Sequence, residues 1–177
     1  EDILVIKAPP DNSPDIAAFD SGDEQNTYME DRLLSFAYRY RYANGEYSAT
    51  SQFSAPSFVA KPFLFTPESF TNEGMENATN ACTITYNSGN ELVVGIDLLF
   101  KEMDDNIIRV IEKLDKDDDG LADNTNYEYV FDNNKIYTIL PESEILRLYD
   151  NVPLLSKAQT MMGNRLVYGN YTEGYDL

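Results

Sequence analysis

Apolar and polar residues alternate with period two through much of this chain, which is the signature of β-strands with one buried face. The clearest run is Leu33 to Tyr42, where Tyr38, Tyr40 and Tyr42 share one face and Arg39 and Arg41 the other. Asn44-Gly45 follows and supplies residues that tolerate the positive φ of a tight turn, so Glu46 to Ser51 reads as the return of a hairpin. A degenerate copy lies further on, from Tyr127 to Leu140. There Tyr127, Tyr129 and Phe131 alternate before Asn133-Asn134. A repeated hairpin points to two related β-modules. Between the copies, Thr83 to Tyr86, Leu92 to Lys101 and Ile107 to Leu114 read as strands. The turns Asn87 to Asn90 and Met103 to Asn106 separate them. In the last of these strands Ile108, Val110 and Glu112 face one way and Ile107, Arg109 and Ile111 the other, so both faces are partly apolar.

The remaining segments are weaker in pattern. Ile3 to Ile6 is a short apolar strand closed by Pro9-Pro10, and residues 9–31 read as a long loop. Pro56 and Pro62 bracket Ser57 to Ala60 as an edge strand, and residues 66–80 form a polar linker anchored by Phe70. Glu142 to Tyr149 fits a short helix after Pro141. Leu154, Leu155, Ala158, Met161 and Met162 recur with helical spacing, with Gly163 as the stop. Arg165-Leu166-Val167-Tyr168 then opens a new strand. The expected fold is mainly β. It has two β-sandwich modules, residues 1–62 (partial or decorated) and 81–141, joined by a linker over 63–80. Residues 142–177 are a helical connector and the first strand of a following domain.

Composition narrows the function. The 177 residues carry a net charge of −18 with 42% hydrophobic residues, so the chain is acidic yet rich enough in apolar side chains to fold. Such a surface disfavours phosphate polymers and anionic membranes. It leaves solubility, cation binding or a basic partner as reasons for the acidity. No run approaches the roughly 20 apolar residues of a membrane span. The chain starts at Glu1 without Met and stops after Tyr175-Asp176-Leu177, which reads as a piece of a longer protein. Cys82 stands alone, so no intrachain disulfide forms; it reads as a buried strand thiol rather than a reactive one. With no histidine, neither a Ser-His-Asp triad nor a histidine-bound zinc site can be built, and no phosphate-binding glycine loop or nucleophile elbow occurs. A non-enzymatic role is expected.

Two motifs stand out. Leu121-Ala122-Asp123-Asn124-Thr125-Asn126-Tyr127 resembles the Leu-x-Pro-x-Thr-x-Tyr corner of fibronectin type III modules, a relative of the immunoglobulin sandwich, with Asp123 where the family has Pro. The resemblance implies that the Tyr127 hydroxyl bonds back to upstream backbone, and that the following hairpin is an F–G unit. The overlapping run Asp115 to Asp123 fits D-x-D-x-D-G-x-x-D, which could bring Asp115, Asp117, Asp119, the Leu121 carbonyl and Asp123 onto a Ca²⁺ ion. Asn126 replaces the bidentate Glu of an EF-hand, so that fold is excluded. The competing reading is a plain acidic turn. The tyrosine row likewise has two readings, a cross-strand core ladder or a carbohydrate- or protein-binding platform.

A further resemblance spans most of the chain. Leu148-Tyr149-Asp150-Asn151-Val152-Pro153, Ala158-Gln159 and Asn164 to Tyr171 carry it, together with Phe36 to Tyr40 and Asn44 to Ala49. The chain is similar to virion tail proteins of the muzzle or nozzle type from short-tailed, crAss-like bacteriophages of Bacteroidota. The resemblance implies a structural subunit of the phage tail in the virion, self-associating in a ring beside other tail proteins, with DNA passing through the channel unread. The alternatives are an extracellular bacterial adhesion or carbohydrate-binding module, acting through Tyr40 and Tyr42, and an accessory domain of an extracellular hydrolase.

Overall fold

The structure, a computed structural model, describes residues 3–4, 7–22, 28–145 and 155–172. Twelve strands, one α-helical turn and, at Glu73–Met75, a 3-10 turn follow in chain order. They are β1 (Ile3–Leu4), β2 (Asp15–Phe19), β3 (Leu34–Tyr42), β4 (Phe65–Thr66), β5 (Thr71–Asn72), β6 (Ala81–Asn87), β7 (Val93–Glu102), β8 (Arg109–Asp115), β9 (Asn126–Phe131), β10 (Thr138–Ile139), α1 (Glu142–Ile145), β11 (Leu155–Met162) and β12 (Arg165–Thr172). The fold is mainly β and antiparallel. A four-stranded sheet, β10-β8-β7-β3, faces a three-stranded sheet, β2-β6-β9. Aromatic side chains close the gap between them: Phe36 of β3 meets Phe131 of β9 edge-on with centroids 5.3 Å apart, and Tyr38 meets Tyr86 of β6 at 6.3 Å. Ile84, Ile96, Leu98 and Phe100 complete the layer.

The two expected modules share both sheets. β3 pairs with β7 from Leu34 opposite Glu102 to Tyr42 opposite Val93, and β2 pairs with β6 from Asp15 opposite Thr85 to Phe19 opposite Ala81. Strands assigned to residues 1–62 and to 81–141 thus interleave in one sandwich. Period-two patterning marks a strand's faces but carries no information about which distant strand lies beside it. Residues 15–19, expected within a loop, supply β2. The second hairpin does not close on itself either. β9 pairs with β6 and β10 with β8, so the chain crosses between sheets after Phe131.

The tyrosine row is core. Tyr38, Tyr40 and Tyr42 are buried, which removes the carbohydrate platform expected as one reading. Tyr40 Oη donates to the Asn87 carbonyl at 3.2 Å and Tyr42 Oη to the Ala8 carbonyl at 2.6 Å, so the buried hydroxyls are satisfied. Gly89, at φ 69°, lies under the Tyr40 ring, where an added Cβ would come within 2.9 Å of Cζ. Cys82 is buried, and burial pushes its thiol up to about 11.

The return from the first turn is not a regular strand. Gly45 takes the positive φ expected of it, 80°, and its N–H donates to the Tyr42 carbonyl at 2.8 Å. After it the serines at 48, 51, 54 and 57 lie along the edge of β3 at every third residue, opposite every second residue of the strand. The N–H groups of Ser48, Ser51, Ser54 and Ser57 donate to the carbonyls of Tyr40, Tyr38, Phe36 and Leu34 at 2.8–2.9 Å. Their Oγ atoms accept the N–H groups of those same four residues at 3.0, 3.1, 3.0 and 3.3 Å. A hydroxyl stands where a neighbouring strand would offer a carbonyl.

A bulge sets the other side of the sheet. Leu98 lies opposite Glu112 but Leu99 opposite Val110, leaving Ile111 as the extra residue. Ile111 therefore joins the inner core, while Val110 and Ile108 pack outward with Ala37, Leu99 and Leu140. Phe53, from the serine segment, and Ile145 of α1 cover that outer cluster.

The C-terminal region departs from expectation. α1 matches the start of the expected helix over 142–149, whose residues 146–149 lie outside the described residues, as do Val5 and Ile6 of the first expected strand. Leu155–Met162, read as helical, is β11, and it pairs with β12. Met162 lies opposite Arg165, and Gly163 and Asn164 between them have φ of 56° and 60°. Two consecutive positive-φ residues make the tight hairpin turn that matches strand twist. Gly163 is thus a turn residue rather than a helix stop. The strand expected from Arg165 is β12. Phe70 does not anchor a linker. Residues 65–72 form the small hairpin β4–β5, and Phe70 is 83% exposed at its turn with φ 55°.

Ser51→Ala leaves the buried Tyr38 N–H without its side-chain acceptor. It is expected to lower stability by about 1–3 kcal/mol in urea unfolding, with an unchanged m-value, while Ser69→Ala on the surface changes little. The phenols give a second expectation. Burial raises Tyr38 and Tyr40, and it pushes Tyr86 up to about 12 from an unfolded value of 10.0. The folded state holds these protons more tightly, so their contribution is complete below the unfolded value and is lost as pH rises through the folded one. Alkaline titration should show tyrosinate absorbance and unfolding rising together above about pH 10.

Candidate functional site

The acidic loop follows β8. Gly120, with φ 65°, makes its sharp bend. Asp115 accepts the Asp117 N–H at 3.1 Å through Oδ1 and the Arg41 Nη2 at 2.8 Å through Oδ2. Asp119 Oδ2 accepts the Asp115 N–H at 3.0 Å. Lys116 turns inward and is buried, with Nζ donating to the Asn90 carbonyl at 2.9 Å and to Asp123 Oδ1. Leu121 packs against the core. Of the expected Ca²⁺ ligands, then, Asp115 and Asp119 cap loop amides, Asp115 and Asp123 already hold cationic side chains, and Asp117 points to solvent. Among the described residues no group of three or more carboxylate or thiol side chains is placed to hold a metal. The donors as arranged fit an internal lysine better than Ca²⁺. Gly95 makes room for the Arg41 guanidinium, since a Cβ there would lie 2.5 Å from Nη2.

The corner itself forms. Tyr127 Oη accepts the Ala122 N–H at 2.8 Å, and Ser88 Oγ donates to the Ala122 carbonyl and accepts the Thr125 N–H at 2.9 Å. The strand that follows pairs with β6, however, so the corner does not lead into a hairpin.

Sequence reasoning missed a cleft at the opposite end of β8. Its volume is about 570 Å³. Phe100 and Glu102 at the end of β7 and Arg109 at the start of β8 line one side. Tyr28, Asp31 and Arg32 come from the segment before β3, and Asn133, Lys135, Ile136 and Tyr137 from the crossing between β9 and β10. Asn133 Nδ2 donates to the Tyr28 carbonyl at 3.3 Å and ties the two rims together. Glu102 Oε1 accepts Arg32 Nη1 at 2.9 Å, with Arg109 Nη1 further off at 3.4 Å. Lys135 Nζ lies 3.5 Å from Glu112 and is held protonated chiefly by Tyr129 and then Glu112. Tyr137 packs edge-on against Phe100 with centroids 5.1 Å apart, and burial raises its phenol.

The chain matches no family model, no curated protein and no solved structure in comparisons with known proteins. The cleft must therefore be read from its own chemistry. Among the described residues it brings together three cationic side chains, the carboxylates of Asp31 and Glu102, and aromatic rings, and the cations are paired with carboxylates. The one legible signal was Arg109, a cation set between Ile108 and Val110 at the start of the strand.

Thermal melts in millimolar Ca²⁺ and in chelator are expected to coincide. A higher melting temperature with Ca²⁺ would mean that the ion displaces Lys116 and Arg41 from their carboxylates.

Proposed function

We propose that this chain is a non-enzymatic structural segment of a larger assembly, of the muzzle or nozzle kind in the tail of a short-tailed bacteriophage. The observation that carries the reading is the pair of β-ribbons whose large apolar side chains face solvent. The β4–β5 hairpin exposes Phe65 and Phe70 and is flanked by the exposed Phe63, Leu64 and Met75. The β11–β12 hairpin exposes Met161, Met162, Leu166 and Tyr171. The β4–β5 hairpin is two-stranded, and β1 pairs only with Leu155 and Ser156 of β11, so most of β11–β12 is two-stranded as well. Such ribbons are marginal alone in water, and clustered exposed apolar side chains mark surfaces that meet another protein. Such ribbons suit a subunit that reaches across to neighbours. The sequence likeness over Ala158-Gln159, Asn164 to Tyr171, Phe36 to Tyr40 and Asn44 to Ala49 gives the reading its phage-tail form; the stretch at 148–153 lies outside the described residues. A net charge of −18 agrees with a conduit wall that does not retain DNA. The adhesion alternative loses its tyrosine platform to the core.

The complete protein is expected to form a closed oligomer in light scattering and to appear among the tail proteins of purified virions by mass spectrometry. Phe65→Ser with Phe70→Ser should weaken assembly while shifting the stability of the sandwich by no more than about 0.5 kcal/mol. A monomeric complete protein that is absent from virions would sink the reading.

A further inference from the structure

The two exposed ribbons carry opposite charge. Between Phe63 and Glu76 the chain holds Glu68, Glu73 and Glu76 and no basic residue. Between Leu155 and Thr172 it holds Lys157 and Arg165 and no acidic residue, although acids outnumber bases 31 to 13 in the whole chain. Glu76 pairs with Lys61 at 3.1 Å. Glu68, Lys157 and Arg165 are exposed and form no ion pair among the described residues.

The apolar side chains of the ribbons are complementary as well. Met161 and Met162 are adjacent in β11 and so lie on opposite faces of the ribbon, and both are exposed. Leu166 lies opposite Met161 and Arg165 opposite Met162, so each face offers a methionine with a partner beside it. On β4–β5 the counterpart is Phe70, which is held out against strain. The other non-glycine residues with positive φ among the described residues are Asn124, Asn133, Asn164 and Asn170, a residue type that tolerates that conformation. A phenylalanine at φ 55° does not, and its ring lies in solvent where packing within the chain cannot offset the strain. Phe65 of the same hairpin is exposed beside it. Thioether sulfur and aromatic rings attract one another, and the flexible methionine side chain fits an irregular aromatic surface.

We propose that the β11–β12 ribbon of one copy of this chain docks on the β4–β5 hairpin of the next, methionines against phenylalanines and Lys157 and Arg165 against Glu68. Like charges oppose the two self-pairings, since β11–β12 would set its cations against cations and β4–β5 its glutamates against glutamates. The contact is therefore head-to-tail, and a series of such contacts closes into a ring or continues as a filament. The inference rests on the reading of the ribbons as assembly surfaces and is independent of the phage-tail assignment.

The test mixes two variants of the whole chain. Lys157→Glu with Arg165→Glu spoils β11–β12, and Phe65→Ser with Phe70→Asn spoils β4–β5 with a residue that suits the turn. All four side chains are exposed, so neither variant should melt below the parent. In sedimentation velocity the parent should self-associate as concentration rises, less so at high salt. Each variant alone should associate at least about tenfold more weakly. An equimolar mixture should form a heterodimer and stop there, because only one sound junction can be made. Should the phenylalanine variant fold poorly, adding Glu68→Lys to the other variant reverses the charge on both sides and should restore self-association. The proposal is overturned if the parent is monomeric at millimolar concentration, if the mixture stays monomeric, or if the folded phenylalanine variant alone associates as the parent does. A mixture that stays monomeric beside a complete protein found as a closed oligomer in virions would overturn this junction and leave the tail reading standing. A heterodimer beside a complete protein absent from virions would support the junction and sink the tail reading.

Discussion

A buried ion pair between the two central strands governs how this sandwich is put together. Arg39 and Asp97 lie directly opposite each other on β3 and β7, with side chains 2% and 1% exposed. Arg39 Nε and Nη2 both donate to Asp97 Oδ2, at 3.1 and 2.9 Å, while Nη1 reaches Glu144 at 2.7 Å and the Tyr47 ring lies 3.9 Å below the guanidinium. Removing these charges from water is expensive, and Asp97 Oδ1 has no hydrogen-bond partner among the described residues, so the pair adds little net stability. Its effect is on register. A slip of β3 by one residue would leave both charges buried without each other and would turn the tyrosine row out of the core. Because the register holds, Tyr38, Tyr40 and Tyr42 point inward and the outer face of β3 stays available for α1. Glu144 then draws α1 over that face, where Leu140 and Ile145 cover Ala37 and Leu99.

The serine segment complements this pair on the free side of β3. An ordinary strand there would satisfy β3 but present a fresh edge of its own. Advancing three residues for every two of the partner, the segment turns its serines inward and lets the residues between them bulge out. The Oγ atoms of Ser48, Ser51 and Ser54, which accept β3 amides, also donate to the carbonyl of the next residue, as with Ser48 to Ala49 at 2.7 Å. The segment thus closes the sheet and offers no regular ladder to another chain. The exposed ribbons β4–β5 and β11–β12 differ in that respect, since their apolar side chains remain uncovered by the described residues. The β3 edge of the sandwich is thus closed, while the ribbons keep apolar side chains toward solvent, which separates a part that must stay folded from parts that can meet a neighbour.

What could be read from the sequence was local. The alternation at Tyr38, Tyr40 and Tyr42 identified a strand and its faces, and Leu121 with Tyr127 identified a corner whose hydrogen bond is present. Strand partners were not legible, because β3 and β7 are separated by fifty residues or more and period two is the same for every candidate neighbour. The serine spacing went unread since period three belongs to neither a helix nor a strand. Gly163-Asn164 was misjudged because a glycine after an apolar run serves equally as a helix stop and a hairpin turn. The cleft was illegible for a different reason. Arg32, the Glu102–Arg109 turn and Lys135 come from three distant stretches, brought together by the pairing of β3 with β7 and by the crossing of the chain after Phe131.

The same geometry explains how a chain with 13 basic residues and 31 acidic ones spends its positive charge. Arg39 and Lys116 are buried, and Arg41 is largely covered, each bound to a carboxylate that fixes a strand or a loop. These cations neutralise acids internally and leave the surface strongly negative. Beyond a Debye length of about 8–10 Å that surface is screened at physiological salt, so its repulsion acts mainly on objects close to it. A long polyanion meets such a surface along its whole length and gains no foothold.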